Sequence, residues 1–189
     1  MKFSIIIPAY NAAEYIRKAL DSVKAQTFTD YELIVVCDSC KDNTAEIARE
    51  YTDKVFAVDF HNEGCTRNVG LDMASGEYIL FMDDDDWWTH ERVLERINTC
   101  LFDYDIVCFG FHWQHKGYAP PGDYYAVWNK CWRRAFIDDT RFPEDMKDRS
   151  DVGFHNTMWA KTPKVALLDE CLYYYNYMRE GSVSWARGC

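Results

Sequence analysis

Short apolar runs alternate with amphipathic stretches over the first half of the chain. "FSIIIP" (3–8) is a continuous apolar run stopped by Pro8, the pattern of a strand buried on both faces. "NAAEYIRKALDSVKAQ" (11–26) sets Ile16, Leu20 and Val23 at helical spacing, and Asn11 stands three residues before Glu14 in the form of a capping box. "YELIVVC" (31–37) predicts a second buried strand, "DNTAEIAREY" (42–51) a second helix and "KVFAVDF" (54–60) a third strand. "CTRNVGLDMAS" (65–75) predicts a helix closed by Gly76 as its C′ residue, and "EYILFM" (77–82) a fourth strand.

Strand and helix alternating at this pace mean βαβ units and a largely parallel sheet. Right-handed crossovers bring the strand C-termini to one edge, where open α/β sheets bind ligands. Three polar clusters fall there: "PAYN" (8–11), "CDSCKDN" (37–43) and "DDDD" (83–86). Beyond residue 88 the pattern changes. A helix is expected over 89–102 with Thr89 as N-cap, a strand over 105–113, and a Gly/Pro-rich loop over 114–123. An extended segment turning helical follows over 126–137, then a loop into a helix near 151–160 and a strand over 164–177. There is no repeat and no low-complexity tract, so a single domain over 1–189 is expected.

At 48% hydrophobic and 16% aromatic, the chain can build one well-buried core. A net charge of −10 and a pI near 4.9 argue against a nucleic-acid binder. A phosphorylated ligand stays compatible, since a metal ion can supply positive charge locally. No apolar run approaches the roughly 20 residues that span a bilayer, and the N-terminal one is too brief for a signal peptide. The expectation is a cytoplasmic protein, with attachment at the inner face of the membrane left open. The eight cysteines, scattered mostly through apolar segments, read as free thiols. Only Cys37 and Cys40 form a CxxC, a weak sign of zinc or redox chemistry.

The segment "YILFMDDDDWW" (78–88) runs from strand straight into four aspartates. One reading is a solvated acidic loop that caps the next helix. The other is a site for a hard divalent cation, which prefers oxygen ligands. The apolar flanks favour the cation, because a loop that only needs solvation has no use for them.

"SIIIPAYNAAEYIRKALDSVKAQTF", "NEGCTRNVGLDMASGEYILFMDDDDWW" and "LYYYNYMREGSVS" resemble the family 2 inverting glycosyltransferases of GT-A fold. The match covers nearly the whole chain and is densest in the first half. It implies an α/β fold: a Rossmann-like, mostly parallel central sheet flanked by helices, with a small acceptor-side C-terminal subregion. Residues 1–100 would form the nucleotide-sugar half and 101–189 the acceptor half. Pro8, Ala9 and Tyr10 would line the base and ribose pocket. Asp38 would hydrogen-bond the nucleobase, and a carboxylate acceptor suits the imide N–H of uracil. Arg67 would lie near the base or phosphates; the plainer reading is a helix-surface arginine. Asp83 and Asp84 would sit by the ribose and pyrophosphate. Asp85, with Asp83, would ligate Mn²⁺ or Mg²⁺, while Asp86 would cap the next helix. Arg179 would close over the diphosphate. Where the family usually shows Asp-Asp-Gly-Ser-x-Asp, this chain has "CDSCKD" (37–42), which keeps Asp38 and Asp42 and puts Ser39 in place of a glycine.

Inversion needs a general base to take the acceptor hydroxyl's proton. Asp145, Asp148 and Asp151 are the candidates, and motif spacing selects Asp151, with Ser150 capping the helix in place of the family's usual Glu. His155, one turn on, is left as a packing or surface residue. Of Trp87 and Trp88, one is expected to pack inward and one to face the donor, while Trp128, Trp132 and the tyrosines of 173–177 build the core of the second half. The implied donor is a nucleotide-diphosphate sugar, a UDP-sugar favoured, and the implied acceptor a glycan or lipid-linked saccharide. Two alternatives stand beside this: a catalytically degenerate domain that binds nucleotide or glycan without transfer, and a zinc or redox protein built on Cys37 and Cys40.

Overall fold

The computed structural model describes residues 1–146 and 149–177. Four parallel strands form its first half: β1 (Phe3–Ala9), β2 (Tyr31–Asp38), β3 (Val55–Val58) and β4 (Tyr78–Phe81), in the order β3-β2-β1-β4. The crossovers between them carry α1 (Ile16–Lys24), α2 (Thr44–Arg49) and α3 (Glu63–Met73).

The strands read as unbroken apolar runs because both faces are covered. Ile5, Ile7, Val35 and Leu80 point to one face, against Ile16, Leu20 and Val23 of α1 and Leu94 of α4 (Val93–Asn98). Ile6, Ile34, Val36, Ile79 and Phe81 point to the other, against Leu71 of α3 and Phe154 and Met158 of α6 (Ser150–Ala160). Successive side chains alternate between faces, so neither parity can be polar. Helix α3 lies unusually close to the sheet: a Cβ on Gly70 would stand 2.3 Å from Ile6 Cγ2.

The second half extends the sheet past β4. Strands β8 (Lys130–Arg133), β6 (Ile106–Trp113), β9 (Val165–Tyr175) and β5 (Trp87–Trp88) follow in that order, and β7 (Gly117–Ala119) pairs with β6. Strand β8 is antiparallel to both neighbours, so the half is mixed. The short helix α5 (Arg134–Ile137) continues directly from β8. Among the described residues, no helix is long and apolar enough to cross a membrane.

Pro8 stands where its missing N–H costs nothing. The carbonyl of Ile6 accepts the Met82 N–H on the β4 side, so Pro8, two residues on, faces the same side after β4 has ended at Phe81.

Several local expectations are corrected. Asn11 is not a cap: it adopts φ 46°, its side chain accepts the Lys41 N–H, and α1 begins only at Ile16. Helix α3 starts earlier than its apolar pattern suggests, because the Asn62 side chain accepts the Gly64 and Cys65 N–H groups. It ends at Met73, so Gly76 is no C′ residue; a Cβ there would lie 2.5 Å from the Ser4 nitrogen. Thr89 pairs with the Leu172 and Cys171 carbonyls of β9 instead of starting α4, whose N-cap is Arg92.

Glu32 ties the strands at the end of the sheet away from the polar clusters. Its buried carboxylate accepts from Ser4, from the Ser75 N–H and hydroxyl, from the Gly76 N–H and from Lys54. Burial raises its pKa, but the hydrogen bonds from Lys54, Ser4 and Ser75 outweigh that and bring it down from 4.5 to about 2. The stabilisation is therefore complete above pH 4.5 and is lost as the pH falls towards 2. Glu32→Gln is expected to cost about 2 kcal/mol at neutral pH in urea unfolding, with a shallower acid limb than the parent.

Candidate active site at the C-terminal edge of the sheet

The three polar clusters do meet. The Tyr10 N–H donates to Asp84 Oδ2 (3.0 Å), which joins the first cluster to the third. Lys41 N–H donates to Asn11 Oδ1 (2.8 Å) and Cys40 Sγ to the Ala9 carbonyl (3.4 Å), which join the second to the first. Pro8 and Ala9 are buried in β1, while Tyr10 is 53% exposed at its end with its ring edge-on to His61.

Asp38 ends β2 with its carboxylate held mainly by backbone donors. Oδ1 accepts from the Ser39 hydroxyl and the Phe60 and His61 N–H groups, and Oδ2 from the Asn62 N–H and the Thr66 hydroxyl. Burial alone would raise its pKa; these donors overcome that and hold it below the usual value. The Ser39 and Thr66 hydroxyls each have a second acceptor, Asp59 Oδ1 and the Asn62 carbonyl, and one proton to give. The three backbone N–H groups are therefore the committed donors, and a nucleobase N–H would compete with the hydroxyls for what remains of about four lone-pair positions. Ser39, where the family usually has glycine, sits at φ 54°, a left-handed conformation that glycine adopts without cost.

The aspartate turn is held from three sides. Asp86 is fully buried and does not cap a helix: the Tyr173 hydroxyl donates to its Oδ2 (2.6 Å) and the Asn176 N–H to its Oδ1 (2.7 Å). Burial, with Asp85 and Asp83 beside it, pushes its carboxyl well above the usual range. Tyr173 also accepts the Asp83 N–H (3.1 Å). Arg67 is not a surface residue: at 3% exposure, its Nη2 donates to Asp83 (2.9 Å) and to Glu63 (2.7 Å). Burial works against its charge, and Glu63, Asp83 and Asp151 more than offset that. Its Nε and Nη1 are buried with no partner among the described residues.

Asp151 lies in the first turn of α6, half-buried, with Oδ1 accepting the Val152 N–H (2.9 Å). Helix α3 sets where α6 begins. Asn68 exchanges two hydrogen bonds with the Phe142 backbone, Asn62 donates to the Glu144 carbonyl, and a Cβ on Gly64 would meet Ser150 Cβ at 2.8 Å. Ser150 is thus a packing residue that makes no side-chain cap bond. Asp145 is exposed in the preceding loop. Asp148 and Arg179 lie outside the described residues.

Glu63 is the site residue that sequence reasoning missed. Although the residue is 46% exposed, desolvation of its carboxyl with Asp83, Asp151 and Asp85 nearby pushes it up to about 7 against the pull of Arg67. Its only sequence signal was the four-residue spacing to Arg67. Tyr173 was placed in the core but not at the site. Trp88 packs inward as expected, whereas Trp87 stacks on Tyr174 (4.1 Å) beneath Lys18. His155 is buried, pairs with Asp123 (2.6 Å) and stacks on Trp159.

Among the described residues, no three His, Cys, Asp or Glu side chains form a ready-made metal cage. A magnesium-type ion typically takes one or two carboxylates and completes its shell with phosphate and water, which Asp83 and Asp85 can satisfy. Glu63 and Asp83 share the one Arg67 Nη2, with Asp84, Asp85 and Asp86 following Asp83 in the same turn, a charge excess that suits an added cation. The seven described cysteines are free thiols, and a hydrogen bond between Cys37 and Cys40 raises the first pKa and lowers the second.

A profile of "Glycosyl transferase family 2" matches residues 4–159. The chain belongs to that family. It is 28% identical over 208 residues to the poly(ribitol-phosphate) beta-N-acetylglucosaminyltransferase TarS of Staphylococcus aureus (strain Mu50), covering 96% of this chain and 36% of that one. It is 27% identical over 222 residues to the glycosyltransferase GlyA of Streptococcus pneumoniae serotype 4, covering 97% of this chain and 31% of that one. The chain therefore spans about a third of the length of these two relatives. The crystal structure of S. aureus TarS 1-349 in complex with UDP-GlcNAc matches with a TM-score of 0.87 at 26% identity, over 98% of this chain and 61% of that one. The sheet and its flanking helices thus form the GT-A fold of this glycosyltransferase family.

Asp38→Asn turns an amide N–H₂ towards at least one of the three backbone N–H donors. It is expected to destabilise the nucleotide-free domain by about 2 kcal/mol in urea unfolding, before any effect on nucleotide affinity is measured.

Proposed function

We propose that this domain transfers a sugar, with inversion, from a nucleotide-diphosphate sugar to a hydroxyl of a glycan or lipid-linked saccharide. The observation that carries this is the gathering of Arg67, Asp83, Asp85 and Asp151 at the C-terminal edge of a family 2 sheet. A UDP-sugar is the favoured donor. Its support is the likeness to TarS, whose structure holds UDP-GlcNAc.

Tyr10, exposed beside His61, offers a ring face at the end of β1 for the base. Pro8 and Ala9 floor that end of the pocket, and Asp38 fixes the 59–62 loop that walls it. Asp84 holds the Tyr10 backbone against the ribose side of the turn. Asp85 and Asp83 would hold Mn²⁺ or Mg²⁺. When bound, such an ion supplies Lewis-acid stabilisation of charge on the departing diphosphate. Arg67, kept charged in its burial, adds a fixed positive charge beside Asp83. Asp151 takes the proton of the acceptor hydroxyl as its oxygen bonds to the anomeric carbon, and the nucleoside diphosphate leaves from the opposite face.

Two experiments test this. In thermal melts with UDP, GDP and CDP, each with and without Mn²⁺, UDP should give the largest rise in Tm, and only with Mn²⁺. A nucleotide shift indifferent to Mn²⁺ would favour binding without transfer. Asp151→Asn should lower turnover by at least about a hundredfold, the usual scale of general-base catalysis, while nucleotide affinity is kept. Near-normal turnover in that variant would remove Asp151 from the role.

A further inference from the structure

The Cys37–Cys40 pair takes no part in the transfer, and neither thiol belongs to the Asp-Asp-Gly-Ser-x-Asp pattern usual at these positions. Cys37 is the penultimate residue of β2, 2% exposed, with its Cα in register with that of Ala9 in β1. Two residues later Ser39, at φ 54°, reverses the chain. The reversal lays Cys40 back over the same strand end. Its Sγ donates to the Ala9 carbonyl and accepts the Asn11 N–H, both at 3.4 Å. Both side chains pack on the apolar cluster of Ile5, Ile7 and Val35, with Cys37 inside it and Cys40 at its partly exposed rim.

The two sulfurs differ in chemistry. The hydrogen bond between them, then burial, pushes the Cys37 thiol up. The same bond brings the Cys40 thiol down from 9.0 to about 7, helped by the Asn11 N–H and opposed by burial and Asp42. Cys40 is thus both the readier thiolate and the one solvent reaches, and the thiolate is the reacting species. Once ionised, it has no proton for the Ala9 carbonyl, and its sulfur keeps only the Asn11 N–H and the Cys37 thiol as donors.

We propose that Cys40 and Cys37 form a thiol–disulfide site, with Cys40 the nucleophile, Cys37 the resolving thiol and a small disulfide the oxidant. The Cys40 thiolate attacks one sulfur of that disulfide, whose S–S bond breaks and whose other half leaves as a thiolate. Cys37 loses its proton to water and attacks Cys40 Sγ, expelling the second half as a thiolate. The two protons lost by the pair end on the two released thiolates. The protein is oxidised by two electrons, and the small disulfide is reduced to two thiols. The new bond takes the Cys40 proton from the Ala9 carbonyl and draws Sγ from the Asn11 N–H, loosening the 37–43 loop from residues 9–11. Tyr10 lies between those two contacts and is tied to Asp84 by its own N–H. The oxidised form therefore holds the end of β1 less firmly; its effect on nucleotide rests on the reading of that end as the base pocket.

The test treats the full chain with oxidised glutathione at neutral pH and maps its cysteines by mass spectrometry. In the parent, the peptide carrying residues 37–40 should lose two hydrogens. Cys40 should react at least about threefold faster than the partly exposed Cys65 and Cys100, its larger thiolate fraction outweighing its lower nucleophilicity. Cys37→Ala should stop at a stable glutathione adduct on Cys40, and Cys37→Ser serves if that variant does not fold. Cys40→Ser should leave Cys37 reduced. In calorimetry with Mn²⁺, oxidation should weaken UDP binding by the parent about fivefold, the scale of one lost hydrogen bond, and leave Cys40→Ser unchanged. Cys40 no more reactive than Cys65 and Cys100, or an adduct on it that persists with Cys37 in place, overturns the proposal. Equal UDP affinity before and after oxidation overturns the link to the pocket. Reduced protein with no UDP affinity at all would instead overturn the nucleotide reading, while the mapping still judges the thiol pair.

Discussion

Everything at the active edge depends on keeping four consecutive carboxylates together in a partly buried turn. Like charges at this spacing raise one another's pKa and push the turn towards solvent. The chain answers with a buried cation, Arg67 on Asp83, and with neutral donors, the Tyr173 hydroxyl and two backbone N–H groups on Asp86 and Asp84. These contacts come from α3, β9 and β1. The turn therefore exists in this shape only when both halves of the sheet are assembled.

That constraint explains the odd construction of the second half. Strand β5 is only two residues long, yet it pairs Trp87 and Trp88 with Tyr174 and Tyr173. The pairing draws β9 across the aspartates and delivers the Tyr173 hydroxyl to Asp86 and to the Asp83 N–H. Tyr173 is itself wedged by Trp128, stacked at 4.6 Å. The aromatic content of this half serves to hold a charged turn in place. Such rigidity favours catalysis, since prepositioned charges need no reorganisation as the reaction proceeds.

Helix α3 is the second organiser. Its N-terminus supplies Asn62, Glu63 and Gly64, and its next turns supply Arg67 and Asn68. Through these it fixes the Asp38 loop, the aspartate turn and the start of α6 at once. The close approach at Gly70 sets its distance from β1. A shift of this one helix would move the candidate base and the candidate cation ligands relative to each other.

Much of this was legible in the sequence, because it depends on local period and on chirality. Strands buried on both faces write themselves as apolar runs, and right-handed crossovers send their ends to one edge, so residues 8–11, 37–43 and 83–86 had to meet. Helix ends were less legible. Asn11, Gly76 and Thr89 each had the right residue type for a cap, but each found a tertiary partner that suited its backbone better. Only the folded chain decided how the charges are shared: Tyr173 to Asp86 spans 87 residues and Arg67 to Asp83 spans 16. No periodicity records such pairs. Which donor reaches which carboxylate is set by the packing of α3 and β9 against the sheet, and that packing is a property of the whole fold.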